Sequence, residues 1–207
     1  MIDKLQFISS ESNGITHIES IQNALDAGCK WIQLRIKNQS PEVILQIACE
    51  AENLCRRYQA KLIINDYASV AKAVNAYGLH LGLNDMPIAA ARKITGNNML
   101  IGGTANTSDD ILNRIKEGAD YVGLGPFRFT STKQNLSPVL GLEGYKSRME
   151  MLRQLGCSVP VIAIGGITAE DIPEILETGI YGVAMSGAIQ FAENKKDLIS
   201  TINNLLC

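Results

Sequence analysis

Eight times along the chain, a short run of β-branched or apolar residues gives way to a longer amphipathic segment, and no Pro/Ser/Gly-rich linker interrupts the alternation. The short runs lie at residues 5–8, 31–36, 61–64, 78–82, 99–102, 121–125, 159–164 and 181–185, and helical patterns fall between them, for instance at 18–27, 41–58, 108–117, 144–155 and 170–177. Strands that alternate with helices imply parallel pairing through right-handed crossovers. A doubly wound open sheet would satisfy the same alternation. Eight near-regular units in one linkerless chain favour instead a single-domain α/β fold over residues 1–207, the closed (β/α)8 TIM barrel, at about 26 residues per unit.

Several segments carry recognisable ends. Ser40 before Pro41 suits an N-cap followed by proline at the first helical position, while Gly28, Gly118 and Gly179 suit left-handed C-terminal stops. The 207 residues are 46% apolar and 19% charged, enough hydrocarbon for one sizeable core. No apolar run approaches the roughly 18 to 20 residues needed to cross a bilayer, and the start lacks a basic region followed by an apolar signal core, so a soluble, cytoplasmic protein is expected. A formal charge of −2 offers no overall field for nucleic acid or an anionic membrane; neither is expected as a partner, and any anion site must be local. Cys29, Cys49, Cys55, Cys157 and Cys207 contain no Cys-x-x-Cys pair and read as reduced packing residues. Neither His17 nor His80 has a Cys or His neighbour at zinc spacing.

In a barrel of this kind chemistry belongs at the carboxyl ends of the strands, so the residues there form one ring. Gln33, Arg35 and Lys37 share one face of the second strand, with Trp31 beginning the row and Ile32, Leu34 and Ile36 facing the other way. Burying two cations inside a barrel requires anions to pair them. Asn65-Asp66 and Asn84-Asp85 end the third and fourth units. Such pairs are also common turn and capping residues, but together they supply two carboxylates of the kind that bind Mg2+, which completes its octahedron with water and substrate phosphate oxygens.

The fifth strand runs into Thr104-Ala105-Asn106, and the stretch from Gly125 to about Gly141, with Thr130, Thr132 and Lys133, reads as a mobile loop over the barrel mouth. Gly165-Gly166 and Ser186-Gly187 close the last two strands, the usual place of a phosphate site in this architecture. Arg35, Lys37, Lys133 and Mg2+ against Asp66 and Asp85 leave a sector of about +3, which a diphosphate near −3 would balance. The uncharged glycine loops opposite would then take a smaller phosphate. Two phosphorylated substrates are implied, one with a diphosphate leaving group.

On these residues the sequence resembles the thiamine phosphate synthase family. The resemblance rests on Gln33 to Lys37, Ile64-Asn65-Asp66, Gly78 to Gly82, Gly118 to Pro126, Thr130-Ser131-Thr132-Lys133 and Ile164-Gly165-Gly166-Ile167, which follow the family's order over nearly the whole chain. It implies a Mg2+-dependent transferase that couples hydroxymethylpyrimidine diphosphate with hydroxyethylthiazole phosphate through a dissociative step. By the same resemblance Arg35, Lys37, Asn65 and Lys133 hold the diphosphate, and Asp66 and Asp85 bind the metal. Gln33, Thr104, Thr130 and Thr132 contact the organic groups or phosphate oxygens, and Gly166, Ser186 and Gly187 receive the thiazole phosphate. Partners would be these small phosphorylated molecules, with a homo-oligomer left open.

Three positions depart from the family pattern. Ile36 stands where an acidic residue is usual, though alternation aims it away from the mouth. Leu83 replaces a glutamine, and Asn106 replaces a histidine. The last change bears on a sister family that isomerises thiazole phosphate, because asparagine cannot shuttle a proton at neutral pH. A tautomerase and a non-catalytic thiazole phosphate-binding barrel are the alternatives. His80 is expected as a hydrogen-bonded interior histidine, His17 at a helix start with no role, Trp31 as packing, and Lys195-Lys196-Asp197 as a solvated face of the last helix.

Overall fold

The computed structural model describes residues 2–130 and 137–207. Eight parallel strands close in sequence order into a barrel: β1 (Leu5–Ile8), β2 (Trp31–Leu34), β3 (Lys61–Asn65), β4 (Gly78–Leu81), β5 (Leu100–Ala105), β6 (Tyr121–Leu124), β7 (Val161–Ile164) and β8 (Gly182–Met185). β8 returns to β1 through Leu5↔Val183, Gln6↔Ala184 and Phe7↔Met185. The outer layer is built from α1 (His17–Asp26), α2 (Pro41–Arg57), α3 (Ala68–Ala73), α4 (Ile88–Thr95), α5 (Ser108–Lys116), α6 (Gly141–Gln154), α7 (Ile172–Glu177), α8 (Gly187–Gln190) and α9 (Lys195–Leu206), with a 3-10 turn, Ala169–Asp171, before α7. Among the described residues, no helix is long and apolar enough to cross a membrane.

The two-residue period of each strand sorts its side chains into two cores. Phe7, Ile32, Leu34, Leu62, Ile64, Leu79, Ile101, Val122 and Ala163 pack outward among the helices. Trp31, Ile63, Tyr121, Ile162 and Ala184 pack inside the barrel and floor it. Trp31 and Tyr121 meet edge to face at 5.3 Å between centroids. Glycine makes room for them: a Cβ on Gly102 would lie 2.1 Å from the Tyr121 ring.

The expected caps form. Ser40 Oγ accepts the Val43 N–H with Pro41 opening α2, and Gly28, Gly118 and Gly179 take positive φ. A capping box, with Thr16 and Glu19 exchanging bonds, starts α1.

Several boundaries differ from the sequence expectation. β2 ends at Leu34, because the Arg35 N–H turns to Ser9 Oγ at 3.2 Å. β5 continues to Ala105, since Thr104 and Ala105 pair with Gly123 and Leu124 of β6. α6 begins three residues earlier than expected, at Gly141.

Cys29 and Cys55 are buried packing residues, but Cys49 and Cys207 are exposed and Cys157 is half-buried, so packing does not explain all five. Trp31 is fully buried. Lys195, Lys196 and Asp197 form the first turn of α9, where Asn194 caps the Asp197 N–H. The loop expected over the barrel mouth lies partly at residues 131–136, outside the described residues.

Candidate active site

A cavity of about 700 Å³ opens at the carboxyl end of the barrel. Gln33, Arg35, Lys37, Asn65, Asp66, Asp85, Thr104, Thr130, Gly166, Ser186 and Gly187 all line it, although they come from seven different strands and their following loops. Thr132 and Lys133 lie outside the described residues.

One side of the cavity is ionic. Gln33 Nε2 donates to Asn65 Oδ1 at 2.9 Å, which orients both amides on adjoining strands. Lys37 Nζ contacts Asp66 Oδ2. Asp66 sits in the left-handed region at φ 67°, its N–H held by the His80 carbonyl at 2.9 Å, so the chain turns sharply as it leaves β3. Asp85 Oδ2 accepts the Gly82 N–H at 2.7 Å. Burial and the facing Asp85 carboxyl push Asp66 up to about 6, against the pull of Lys37. For Asp85, burial works upward but is outweighed by its hydrogen bonds to Asp66 and Gly82 and by the charge of Lys37, which leaves it below the ordinary carboxylate value. Arg35 is lowered by burial, with Asp66 and Asp85 opposing the shift, and an arginine so lowered still carries its charge near neutral pH.

The opposite side is built from backbone. Gly165 and Gly166 take φ of 94° and 71°. The segment after β6 crosses this loop, with Phe127 N–H bonding Ile164 O at 2.9 Å and Arg128 N–H bonding Gly165 O at 3.0 Å. A Cβ on Gly166 would sit 2.4 Å from Arg128 Cγ, so only glycine fits beneath that crossing. Arg128 is further tied to Asp171 at 2.6 Å. Ser186 Oγ donates to Ser10 Oγ at 3.3 Å, and Gln190 anchors the same region through bonds to Ser10 and Ser12.

At the floor, His80 bonds Tyr121 Oη through Nδ1 and Thr104 Oγ1 through Nε2, both at 3.0 Å, as befits an interior histidine with both nitrogens engaged. His17 does more than the sequence suggests. It is 6% exposed, and its Nδ1 meets Ser9 Oγ at 2.9 Å, the hydroxyl that also receives the Arg35 N–H. Neither Ser9 nor Gln6 was singled out in the sequence. For Gln6 the available signal was a polar residue in the inward register of an apolar strand.

The model of the thiamine monophosphate synthase family matches residues 5–189. The chain belongs to that family. The thiamine-phosphate synthase of Bacteroides fragilis is 49% identical over 97% of this chain and 98% of its own length. That of Flavobacterium johnsoniae is 49% identical over 100% of this chain and 97% of its own. Among solved structures, a thiamine phosphate pyrophosphorylase from Pyrococcus furiosus superposes with a TM-score of 0.83 at 33% identity, covering 98% of this chain and 95% of that one.

The positions where this member departs from the thiamine monophosphate synthase pattern have clear structural surroundings. Ile36 is buried in the outer core, away from the cavity. Leu83 is half-buried and does not line the cavity. Asn106 Nδ2 donates to Gly125 O at 2.9 Å and to Pro138 O at 2.8 Å, tying together the two ends of the connection between β6 and α6.

The acidic pair fits a divalent cation. Asp66 Oδ1 is buried and receives no hydrogen bond, and its carboxyl is raised by burial and by the facing Asp85. A proton or a cation would complete such an arrangement. No cluster of three His, Cys, Asp or Glu side chains occurs among the described residues. Two carboxylates, with water and phosphate oxygens filling the remaining positions, are the donor set that suits Mg2+.

Proposed function

We propose that the chain couples hydroxymethylpyrimidine diphosphate with hydroxyethylthiazole phosphate, as a thiamine-phosphate synthase, releasing thiamine phosphate and diphosphate. The observation that carries this reading is the meeting, in one cavity, of a cationic and acidic sector with a glycine-built loop opposite. Arg35 and Lys37, with Asn65 beside them, hold the diphosphate, together with Lys133, which lies outside the described residues. Asp66 and Asp85 would hold Mg2+, which when bound would supply positive charge beside the leaving oxygens. Gly166, Ser186 and Gly187 receive the phosphate of the thiazole, while Gln33, Thr104, Thr130 and Thr132 contact the organic groups or phosphate oxygens.

The C–O bond to the pyrimidine methylene breaks, its electron pair departing with the diphosphate, and the thiazole nitrogen closes a C–N bond on the resulting cation. Arg35 and Lys37 stabilise charge that grows as the bond breaks, the preorganised help that is worth several kcal/mol in such sites. No protein nucleophile is required. Two small phosphorylated substrates suit a cytoplasmic enzyme.

A tautomerase would need a proton carrier on the loop after β5, but Asn106 cannot shuttle a proton, and its amide is committed to two carbonyls. A non-catalytic phosphate binder would have no use for two facing carboxylates beside Arg35 and Lys37. The test is a coupling assay with both substrates, with and without Mg2+, joined to thermal shift. Thiamine phosphate formed only with both substrates and metal, and stabilisation by diphosphate that requires Mg2+, are expected. No product, with stabilisation by thiazole phosphate alone, would replace the synthase by the binder.

A further inference from the structure

β1 alternates in the same way as the other strands: Leu5 and Phe7 enter the outer core, and Gln6 and Ile8 face the cavity. Gln6 is 2% exposed, and its Nε2 has no hydrogen-bond partner. Burial raises the pKa of the Tyr121 hydroxyl and the Gln6 carboxamide, within reach of it as a donor, pulls it back, while His80 engages the same hydroxyl. The neighbouring strand adds a second unpaired donor. Phe7 is in register with Ile32, which sets Gln6 beside Trp31, and Trp31 Nε1 is also buried without a partner. Buried amide and indole N–H groups are normally supplied with acceptors, so this floor is rich in donors and short of acceptors.

The ionic sector for a diphosphate lies at the rim, on the loops after β2, β3 and β4. An organic group carried by a diphosphate held there would reach into the barrel, between walls that include Ile8, Ile162, Ile164 and Ala184. A flat heteroaromatic ring with an uncommitted ring nitrogen answers both the apolar walls and the unpaired donor. We propose that Gln6 is a further substrate-binding residue, donating a carboxamide N–H to a ring nitrogen of the pyrimidine. The thiazole is the poorer partner, because its nitrogen lone pair must stay free to form the new C–N bond. This assignment rests on the proposed coupling function and names the part of that site that recognises the ring.

The test compares two ligands that share a headgroup, hydroxymethylpyrimidine diphosphate and inorganic diphosphate, by calorimetric titration in the presence of Mg2+. Gln6→Met, similar in length and without the amide, is expected to weaken the pyrimidine ligand about tenfold while inorganic diphosphate stays within about twofold. The Tm of the unliganded variant should fall little, since the amide it loses has only the Tyr121 hydroxyl within reach and makes no well-formed hydrogen bond. Gln6→Leu provides the same reading if the methionine variant does not fold. Equal affinities to wild type for both ligands, equal losses for both, or failure of both variants to fold would each overturn the assignment. A wild-type chain that binds the pyrimidine ligand in a Gln6-dependent way yet makes no thiamine phosphate would defeat the coupling function and leave Gln6 in place. A wild-type chain that does not bind the pyrimidine ligand at all would defeat both.

Discussion

Asp66 and Asp85 face each other across the ionic side of the cavity, and Asp85 adds to the cost of ionising Asp66. Asp66 is largely buried, its Oδ2 is met by Lys37, and its Oδ1 receives no hydrogen bond. Asp66→Asn or Asp85→Asn is expected to lower coupling by about 100-fold or more, the scale of losing a metal's charge stabilisation. The Tm should hold, because Lys37 is half-exposed and loses little with its partner. Steady-state rates at saturating Mg2+ alongside melting curves check both halves, and full activity in both variants would remove the metal assignment. His17 offers a pH handle. Burial lowers its pKa, with Glu11 opposing and Arg35 adding to the shift. Below about pH 6.5 the unfolded chain therefore takes up a proton before the folded protein does, so stability falls as the pH drops through that window and is level above it. His17→Gln, which can still bond Ser9 but cannot titrate, should lose less Tm than wild type between pH 7 and pH 5. Parallel melting profiles would contradict this.

At the level of elements, the loop connections carry the site, and they were unevenly legible. The inward row of Gln33, Arg35 and Lys37 could be read directly, since a two-residue period shows which residues share a face, and the row persists after β2 stops pairing at Leu34. The Ser9 bond that ends the strand could not be read, because it joins residues 26 positions apart through a single hydroxyl. Asn106 was visible only as a missing imidazole, whereas in the fold its amide spans from Gly125 to Pro138. Asn106→Ala leaves the buried Gly125 carbonyl and the partly buried Pro138 carbonyl without that donor and is expected to cost about 1–2 kcal/mol in urea unfolding. Asn106→His should not restore it, as a neutral imidazole carries one N–H where two are used. An unchanged unfolding midpoint in the alanine variant would show that the tie carries no weight.

Closure of the whole barrel turns eight separate strand ends into one cavity. The regular alternation of the chain made that closure readable, and once the barrel is assumed the polar residues after each strand must converge. The interior floor was less accessible. Gly102 in β5 makes room for Tyr121 in β6, and Gln6 meets that floor from β1, relations that depend on ring size and strand register rather than on any local pattern. Thr132 and Lys133, which the family resemblance places at the diphosphate, fall outside the described residues, so their part is carried by sequence alone. The convergence of a metal-held diphosphate with a glycine-cradled phosphate can be tested in one crystal, grown with Mn2+ in place of Mg2+, thiamine phosphate and diphosphate. The expected result is an anomalous Mn2+ peak coordinated by Asp66 and Asp85, with the diphosphate on Arg35 and Lys37 and the thiamine phosphate group at Gly166 and Ser186. A peak elsewhere, or both phosphate groups on one side of the cavity, would contradict the assignment.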